Sequence, residues 1–395
     1  MVKQWPAGLG RVICVVGARP NFMKMAPILR AFAEHRPSIP GLLVHTGQHY
    51  DRDMNDRLFV DLCLPHPDIN LGVGSGTHAV QTAEVMRRFE PVVDETRPAC
   101  VLVVGDVNST LACALVCAKK DVPVVHVEAG LRSFDRAMPE EINRLLTDQL
   151  ADRLYTTERR AEDNLVREGI DIGRVCFVGN VMIDSLVSNR ELACPPSKTL
   201  LAAGVVPDVL DDPQGYGVVT LHRPSNVDQW ETLQSLLSTL REVSEQVPLI
   251  FALHPRTRTN VERFGLDHLL RSSRIVVLPP QGYLEMLGLL ASARLVLSDS
   301  GGLQEETTAL GVPCLTLREN TERPITVEQG TNTVVGCDRS AIRQCVTEIL
   351  AGRGKHGRVP EFWDGQAAPR IAADLAQWLV ARHAARARTA GCGSS

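Results

Sequence analysis

Carboxylate side chains lie at the boundaries of two neighbouring patterns in the stretch HVEAGLRSFDRAMPEEINR, residues 126–144. Glu128 closes an apolar run that is typical of a buried strand, whereas Glu140 and Glu141 follow a proline at the start of a helical pattern. Two carboxyl groups that face one space repel each other, so their proximity costs stability unless chemistry uses it. The pattern therefore indicates acid–base catalysis by Glu128 and Glu140, with Glu141 facing elsewhere as a solvated neighbour.

Further polar residues in the first half fit the same chemistry. Asp106 stands at the tip of the apolar run CVLVVGD, where a carboxylate that faces a ligand is a better explanation than a helix cap. His126 precedes Glu128 on the same strand face, and Arg144 follows Glu140 by one helical turn. We expect His126 or Arg144 to hold the two glutamates, and a plain i, i+4 ion pair is the structural alternative for Glu140 and Arg144.

Two segments that follow strands and open helices suit anions. Residues 17–27, GARPNFMKMAP, place Arg19 and Lys24 at a helix start, where positive charge is unfavourable unless it binds something. This segment lacks the GxGxxG pattern, so no bound NAD is predicted. Residues 298–306, SDSGGLQEE, offer glycines and first-turn N–H groups to a phosphate, and Glu306 to ribose hydroxyls. A simple glycine-rich turn explains that second segment equally well.

The second half ends another apolar strand in His222 and Arg223, a combination that suits a pyrophosphate. His254 is interpreted as a packing residue, and Arg323 lies in a charged loop that either closes over a phosphate or is merely solvated. The chain shows no nucleophile elbow, no GxxxxGK[ST] loop and no paired Cys or His-Cys motif. The site residues therefore predict acid–base chemistry beside an anion-binding turn, without a metal.

Short β-branched runs alternate with helical patterns along the chain, which predicts βαβ units and parallel sheets. Residues 193–215 are rich in Pro, Gly and Asp and indicate a connection between two Rossmann-like, doubly wound domains. Ligands of such sheets bind outside the carboxyl ends of the strands, so we expect both sets of strand ends to line one cleft. The predicted domains are 1–185 and 186–367, with a helix at 368–388 packing back on the first domain and a disordered tail at 389–395.

The bulk properties exclude several classes of protein. A length of 395 residues favours two domains, and a formal net charge of -4 offers no basic surface for nucleic acid or an anionic membrane. The 11 cysteines are scattered singly, which is typical of the reducing cytosol. No apolar run has the form of a signal peptide or the length of a membrane span, so the expected location is the cytoplasm.

Several motifs occur together and in order along nearly the whole chain, among them GARPNFMKMAP, HTGQHYDRDM, HVEAGLRSFDRAMPEEINR and SDSGGLQEETTALGVPCL. In this set the chain resembles the non-hydrolysing UDP-N-acetylglucosamine 2-epimerases. The resemblance implies a glycosyltransferase-B-like fold that binds UDP in its cleft, a homodimer and no cofactor. It also implies interconversion of UDP-N-acetylglucosamine and UDP-N-acetylmannosamine, by elimination of UDP to a bound glycal and its re-addition.

The resemblance also assigns residues. It places the acid–base candidates and a histidine beside the phosphates at Asp106, Glu128, Glu140 and His222. It places nucleotide contacts at Arg19, Lys24, Met286, Ser300, Gly301, Gly302, Glu306 and Arg323. From their positions beside these residues we also expect Arg144 and Arg223 to contact the UDP-sugar. Met286 replaces a phenylalanine of many members, so softer packing against uracil is expected. Gln48 and His49 match the region where some bacterial members bind an activating UDP-N-acetylglucosamine, but the next segment departs from that form.

Other functions remain open at this stage. A hydrolysing relative that releases UDP and N-acetylmannosamine uses the same elimination, and the motifs do not separate it from the epimerase. A glycosyltransferase of the same fold needs at most one base, so three carboxylates argue against it, and a non-catalytic sensor needs none. A modified UDP-sugar, such as a diacetamido uronic acid, stays open because contacts to sugar C3 and C6 are not readable from sequence.

Overall fold

The computed structural model describes residues 4–6, 8–47, 59, 61–62, 64–271 and 274–392. The chain divides into two compact units: unit 1 comprises 1–187 and 361–395, and unit 2 comprises 188–360. The chain thus returns to unit 1 at residue 361. This is upstream of residue 368, where the sequence predicted that the returning helix begins.

Unit 1 is built on a sheet of parallel strands with helices on both faces. Its strands are β1 (Val12–Val16), β2 (Gly41–His45), β3 (Ile69–Asn70), β4 (Cys100–Val104), β5 (Val124–Ala129), β6 (Arg153–Thr156) and β7 (Val175–Phe177). Their order across the described sheet is β3-β2-β1-β4-β5-β6-β7. The direction of winding reverses between β1 and β4, which is the switch point where open α/β sheets bind ligands.

The helices of unit 1 include one from the end of the chain. They are α1 (Arg19–Glu34), α2 (His78–Thr96), α3 (Asn108–Lys119), α4 (Pro139–Leu150), α5 (Arg159–Arg167), α6 (Val181–Asn189), whose last residues begin unit 2, and the C-terminal helix Ala367–Cys392. The C-terminal helix packs against α1. Its Asp374 accepts hydrogen bonds from Arg153 and from the buried Tyr155 of β6. The helix continues beyond residue 388, and residues 393–395 lie outside the described part.

Unit 2 repeats the same winding. Its strands are β8 (Gly217–Thr220), β9 (Leu249–Ala252), β10 (Ile275–Leu278), β11 (Leu295–Ser298), β12 (Cys314–Thr316) and β13 (Asn332–Val334). Its helices are α7 (Pro196–Ala202), α8 (Pro224–Val227), α9 (Trp230–Gln246), α10 (Pro255–Arg263), α11 (His268–Arg271), α12 (Tyr283–Ala291), α13 (Gly301–Leu310), α14 (Pro324–Glu328) and α15 (Arg339–Leu350). In chain order the C-terminal helix of unit 1 follows as α16. The sheet order is β10-β9-β8-β11-β12-β13, so the switch point lies between β8 and β11.

Both faces of these sheets are buried, which explains why their strands are continuous apolar runs. In β8, Val219 packs with helix α9 in one apolar cluster, while Val218 packs in the cluster on the opposite face. Consecutive strand side chains point to opposite faces, so each strand supplies both clusters. The prediction of two Rossmann-like, doubly wound folds is confirmed. Within the described residues, no helix is long and apolar enough to cross a membrane.

Candidate active site

Glu128 is held in an unusual backbone conformation at the switch-point edge of unit 1. The register between β5 and β6 shifts between Val127 and Ala129, so Glu128 forms a bulge at the end of its strand. Its φ angle is 71°, in the left-handed region that non-glycine residues rarely adopt. Gly130 follows with a φ of 79° and packs its backbone against Ala161. Strain of this kind persists where surrounding structure imposes it, and it is common at functional sites.

The carboxylate of Glu128 forms a buried ion pair with Lys24 of α1. The lysine and glutamate side chains are only 7% and 5% exposed, so neither charge is hydrated by bulk water. Gly105, at the end of β4, leaves the space for this pair, because a Cβ there would lie 3.1 Å from the Lys24 Nζ. Asn21 donates a 2.9 Å hydrogen bond to the Val104 carbonyl, which ties the first turn of α1 to the same strand end.

Arg144 joins two carboxylates at the start of α4. It forms ion pairs with Asp106 and with Glu141, and its side chain is almost fully buried. Glu141 is also buried and accepts hydrogen bonds from the N–H groups of Ser133 and Phe134, at 3.0 Å and 2.9 Å. Burial alone raises the pKa of Glu141, but these N–H groups and Arg144 offset it and lower the pKa below its ordinary value. The prediction that Glu141 is solvated is therefore wrong.

Glu140 differs from its neighbour. It is half-buried in the first turn of α4 and forms no hydrogen bond or ion pair with a described residue. The ion pair considered for Glu140 and Arg144 does not form, because Arg144 turns towards Glu141 and Asp106 instead. An available carboxylate at this place suits proton transfer better than a carboxylate already bound by backbone N–H groups.

A buried network behind the carboxylates holds both strand ends. His126 donates from Nε2 to the Gly105 carbonyl at 2.8 Å, and its Nδ1 lies 2.6 Å from Asp148. Asp148 also accepts from the Gly130 N–H at 3.0 Å and from Arg132 at 2.7 Å. Burial alone raises the Asp148 pKa, but the charges of His126 and Arg132 outweigh it and lower that pKa. His126 therefore supports the backbone around Glu128. The expectation that His126 or Arg144 contacts Glu128 directly is wrong, because the ion-pair partner of Glu128 is Lys24.

Unit 2 carries a His–Asp pair at its own switch point. Asp299, after β11, is completely buried and accepts from the N–H groups of His222 and Arg223, at 3.0 Å and 2.9 Å. The His222 ring lies with Nδ1 3.0 Å from the same carboxylate and remains about a third exposed. Although burial raises the pKa of Asp299, the hydrogen bond and charge of His222 lower it overall. The Asp299 carboxylate thus fixes the orientation of the His222 ring.

An arginine cluster surrounds Glu322 beside this pair. Arg318 lies 2.8 Å from Glu322, Arg223 lies 3.6 Å away, and Arg323 forms a 2.8 Å ion pair with Glu305. Burial alone raises the pKa of Glu322, but the charges of Arg323, Arg318 and Arg223 lower it to about 2. Three guanidinium groups therefore lie beside the buried Glu322 and Glu305, and guanidinium groups are well suited to bind phosphate.

The start of α13 packs against the same cluster. A Cβ at Gly301 would lie 2.7 Å from a Glu322 oxygen, so the glycine lets this carboxylate approach the helix. Ser300 donates its N–H to the Ser298 hydroxyl, and Gly302 follows in the first turn. Within the protein, the start of α13 therefore lies next to the Glu322 carboxylate, which is also bound by arginines.

The family of the chain follows from comparison with known proteins. A family model described as UDP-N-acetylglucosamine 2-epimerase matches residues 32–376. The chain belongs to this family. The UDP-N-acetylglucosamine 2-epimerase of Methanocaldococcus jannaschii is 42% identical over 360 residues, which are 90% of this chain and 96% of that relative.

Two further comparisons bear on fold and substrate. The UDP-2,3-diacetamido-2,3-dideoxy-D-glucuronate 2-epimerase of Pseudomonas aeruginosa is 40% identical over 370 residues, 93% of this chain and 99% of the relative. A crystal structure of the Methanocaldococcus jannaschii UDP-GlcNAc 2-epimerase in complex with UDP-GlcNAc and UDP is 39% identical and has a TM-score of 0.80. That match covers 92% of this chain and 99% of the solved one. The family and these relatives make the protein an isomerase.

The remaining predicted residues of this epimerase have varied surroundings. Glu306 is buried, and burial together with the charge of Glu306 raises the pKa of Tyr283 above its ordinary value. Met286 is half-buried on α12 and packs against the apolar core of unit 2. Arg19 opens α1, but its side chain is not described, and Gln48 and His49 lie outside the described residues.

Several residues of the candidate site were missed from sequence. They are Arg132, Asp148, Arg318 and Glu322. A helical signal was available for Asp148, which follows Arg144 by one turn and shares its buried face. Arg318 and Glu322 belong to a charged loop that sequence alone does not distinguish from a solvated one. Among the described residues, no group of three or more His, Cys, Asp or Glu side chains could hold a metal.

Proposed function

We propose that this enzyme interconverts UDP-N-acetylglucosamine and UDP-N-acetylmannosamine without hydrolysing them. The observation that supports this most is the acid–base set of unit 1, in which the buried Lys24–Glu128 pair lies against Gly105, the residue before Asp106. The substrate class is supported by the family match and by the solved relative in complex with UDP-GlcNAc and UDP.

The proposed reaction is an elimination followed by an addition. A carboxylate takes the proton from sugar C2, the C2–H electrons form a C1=C2 double bond, and UDP leaves with the C1–O electron pair. A β-phosphate oxygen of UDP then attacks C1 of the bound glycal while an acid returns a proton to the opposite face of C2. No carbonyl acidifies this C2–H, so its removal depends on groups that stabilise the charge growing on UDP.

Unit 1 would supply the proton transfers. Glu128 is fixed in one orientation by Lys24, and Asp106 is oriented by Arg144. Glu140 has no competing partner among the described residues, so it is available as a further proton donor or acceptor. Inversion at C2 needs proton carriers on both faces of the sugar, which is why we assign three carboxylates to this chemistry.

Unit 2 would bind the nucleotide. His222, paired with Asp299, and the arginines Arg223 and Arg323 supply positive charge for the diphosphate. The first-turn N–H groups of α13 and the buried Glu306 are assigned to the phosphate and the ribose of UDP. This assignment needs no metal, because guanidinium groups offset the charge on the leaving UDP.

The deciding experiment is incubation of the enzyme with UDP-N-acetylglucosamine in D2O, followed by NMR. Deuterium at C2 of a UDP-linked N-acetylmannosamine product is the expected result. Free N-acetylmannosamine and UDP would instead identify a hydrolysing epimerase, and the absence of any exchange at C2 would contradict both reactions.

A substitution tests the assigned base. Glu128→Gln should reduce deuterium exchange by about 10²–10⁴-fold, the usual contribution of a positioned acid or base, while UDP binding is retained. Turnover that stays unchanged would remove Glu128 from the mechanism. Arg159→Gln, on the exposed surface of unit 1, serves as the control and should leave exchange intact.

A modified sugar is the second candidate substrate. The Pseudomonas aeruginosa diacetamido-glucuronate epimerase is nearly as similar to this chain as the Methanocaldococcus jannaschii UDP-N-acetylglucosamine 2-epimerase, at 40% and 42% identity. Measuring kcat/KM for both UDP-sugars separates the candidates. A higher value for the diacetamido uronic acid would keep the proposed chemistry and change the proposed substrate.

We further propose a homodimer in the cytoplasm, with unit 1 as the acid–base domain and unit 2 as the UDP-binding domain. The cytoplasmic location is supported by the nine cysteines whose side chains the structure describes, which are free thiols. Light scattering of the purified protein tests the dimer, and a monomeric mass at assay concentration would contradict it.

A further inference from the structure

A cavity lies in unit 2 at the edge of the sheet where the strands begin. It encloses about 320 Å³ and is lined by residues that precede β11, β12 and β13, together with the loop after α15, residues 352–357. Because the strands are parallel, this edge is opposite the one that carries His222 and Asp299. The volume is at the lower end of the range of small-molecule sites.

The charged side chains that line this cavity are all cationic or can become so: Arg294, Lys355 and His356. None of the three forms an ion pair with any residue that the structure describes. Lys355 instead donates to the carbonyl oxygens of Val327 and Asn332, and burial lowers the pKa of this lysine. Cations without an ion-pair partner among the described residues are a favourable setting for an anion, which would restore the charge balance.

Arg294 keeps donors for such a ligand. One of its terminal nitrogens caps the end of α15, donating to the carbonyls of Ile349 and Leu350 at 3.3 Å and 3.4 Å. A guanidinium carries five N–H donors in a planar fork, so the other nitrogens are not consumed by this cap. The Thr331 hydroxyl, also on the cavity wall, donates to the Val312 carbonyl and can still accept a hydrogen bond.

The glycine-rich loop that closes the cavity is firmly anchored. A Cβ at Gly357 would lie 2.3 Å from the backbone of Gly330, and one at Gly354 would lie 2.8 Å from Ile349. The N–H of Arg358 donates to the Gln329 carbonyl at 2.7 Å. The glycines therefore serve close packing, and they hold Lys355 and His356 in place before any ligand arrives.

We propose that this cavity binds a small phosphate-bearing molecule, with Arg294, Lys355 and His356 around its phosphate. A single phosphate does not fill the cavity, so a sugar phosphate is the class that fits the volume together with the charge. The site is separate from the proposed epimerase chemistry and does not depend on it.

The experiment is calorimetric titration of the full-length enzyme, saturated with UDP, with inorganic phosphate in one arm and glucose 6-phosphate in the other. Wild-type enzyme should bind, and glucose 6-phosphate should bind more tightly. Arg294→Gln, Lys355→Gln and His356→Gln should each weaken binding, by about tenfold or more for the first two, because each loses a charge-assisted hydrogen bond. Arg353→Gln, whose exposed side chain pairs with Glu348 outside the cavity, is the control and should bind as wild type does.

Each outcome decides the proposal. Equal affinity for both anions would support a phosphate site and reject the sugar-phosphate class. No binding in either arm, or binding that all three cavity variants leave unchanged, would overturn the site. His356 and Arg294 are exposed, so their variants keep the test valid even if Lys355→Gln fails to fold. Failure of the epimerase reaction would leave this result unaffected, because the variants report on the cavity alone.

Discussion

Glu140 and Glu141 are consecutive carboxylates with different roles because their surroundings differ. Glu141 faces inwards and anchors the loop before α4 through the N–H groups of Ser133 and Phe134, while it also pairs with Arg144. Glu140 points to a half-exposed position in the same helical turn. At this scale a single rotation of about 100° around the helix axis separates a structural carboxylate from a candidate catalytic one.

Exchanging each carboxylate for its amide separates the two roles. Glu141→Gln should lower the free energy of unfolding by about 1.5–3 kcal/mol, because hydrogen bonds to a buried charged group are lost. Glu140→Gln, the matched control, should leave stability unchanged while reducing epimerisation. Chemical denaturation and NMR assay of both variants provide the measurement, and equal losses of stability would contradict the distinction.

The lowered pKa of Glu322 predicts how the stability of unit 2 changes with pH. Its pKa is about 2 in the folded protein, below its ordinary value of 4.5, so folding favours the ionised form. The stabilisation is therefore fully present above about pH 4.5. It is lost as the pH falls towards 2, because Glu322 of the unfolded chain takes up its proton at a higher pH than Glu322 of the folded protein.

Denaturation of wild type and Glu322→Gln across pH 3 to 7 measures this contribution. The variant should be less stable than wild type at neutral pH, and the difference should shrink on acidification. Glu231→Gln, on the exposed first turn of α9, should show no such difference. A difference that stays constant with pH would show that the Glu322 charge is not the cause.

At the scale of elements, the end of β5 is shaped by one bulge and one tight contact. Glu128 and Gly130 both adopt positive φ angles, and the Gly130 backbone sits against the carbonyl of Ala161 at the start of α5. The position of the Glu128 carboxylate thus depends on how closely the end of β5 approaches the start of α5. Asp148 secures the same turn through its hydrogen bond from the Gly130 N–H.

Gly130→Ala should disrupt this turn, because the new Cβ would lie 2.5 Å from the Ala161 carbonyl oxygen. Gly169→Ala is the matched control, since Gly169 has a φ of 83° but no atom within 4 Å of a new Cβ. Both variants carry the left-handed backbone cost of about 1–2 kcal/mol. Beyond this shared cost, only Gly130→Ala should lose further stability in thermal denaturation and should also show a lower kcat. Equal stability and equal kcat of the two variants would exclude the clash with Ala161.

At the scale of the whole molecule, the last helix completes the first unit. Trp363, Ile371, Leu375 and Leu379 are buried in unit 1 although they follow the whole of unit 2 in the chain. The side chain of Asp184 accepts from the first N–H groups of this helix, at Ala367 and Ala368. Unit 1 therefore cannot be complete until the C-terminus has been synthesised.

Leu375→Ala tests this dependence. It should destabilise unit 1 by about 2–5 kcal/mol, as large-to-small changes at fully buried positions do. Hydrogen exchange should show reduced protection in β1 and β4 of unit 1 and unchanged protection in unit 2. Arg388→Ala, an exposed position on the same helix, should leave both units as in wild type. Reduced protection in unit 2 alone would refute the assignment.

Periodicity in the chain was sufficient to predict the architecture. Alternating β-branched and helical segments require parallel sheets, and the polar residues Asp106, Glu128, His222 and Arg223 all stand at strand ends, where charged groups are easier to satisfy than inside a buried strand. The two-residue strand β3 escaped prediction, since a run of that length carries no readable period.

Only the tertiary structure decided which charges meet. Glu128 pairs with Lys24, distant in the chain, rather than with the nearby His126 or Arg144, and Glu141 is buried where its helical position suggested solvent. The importance of Glu322 is visible only in the structure, where the charges of Arg223, Arg318 and Arg323 surround its carboxylate. Local sequence specifies elements because backbone geometry repeats over a few residues. Ion pairs depend on distances between elements, and folding alone sets those distances.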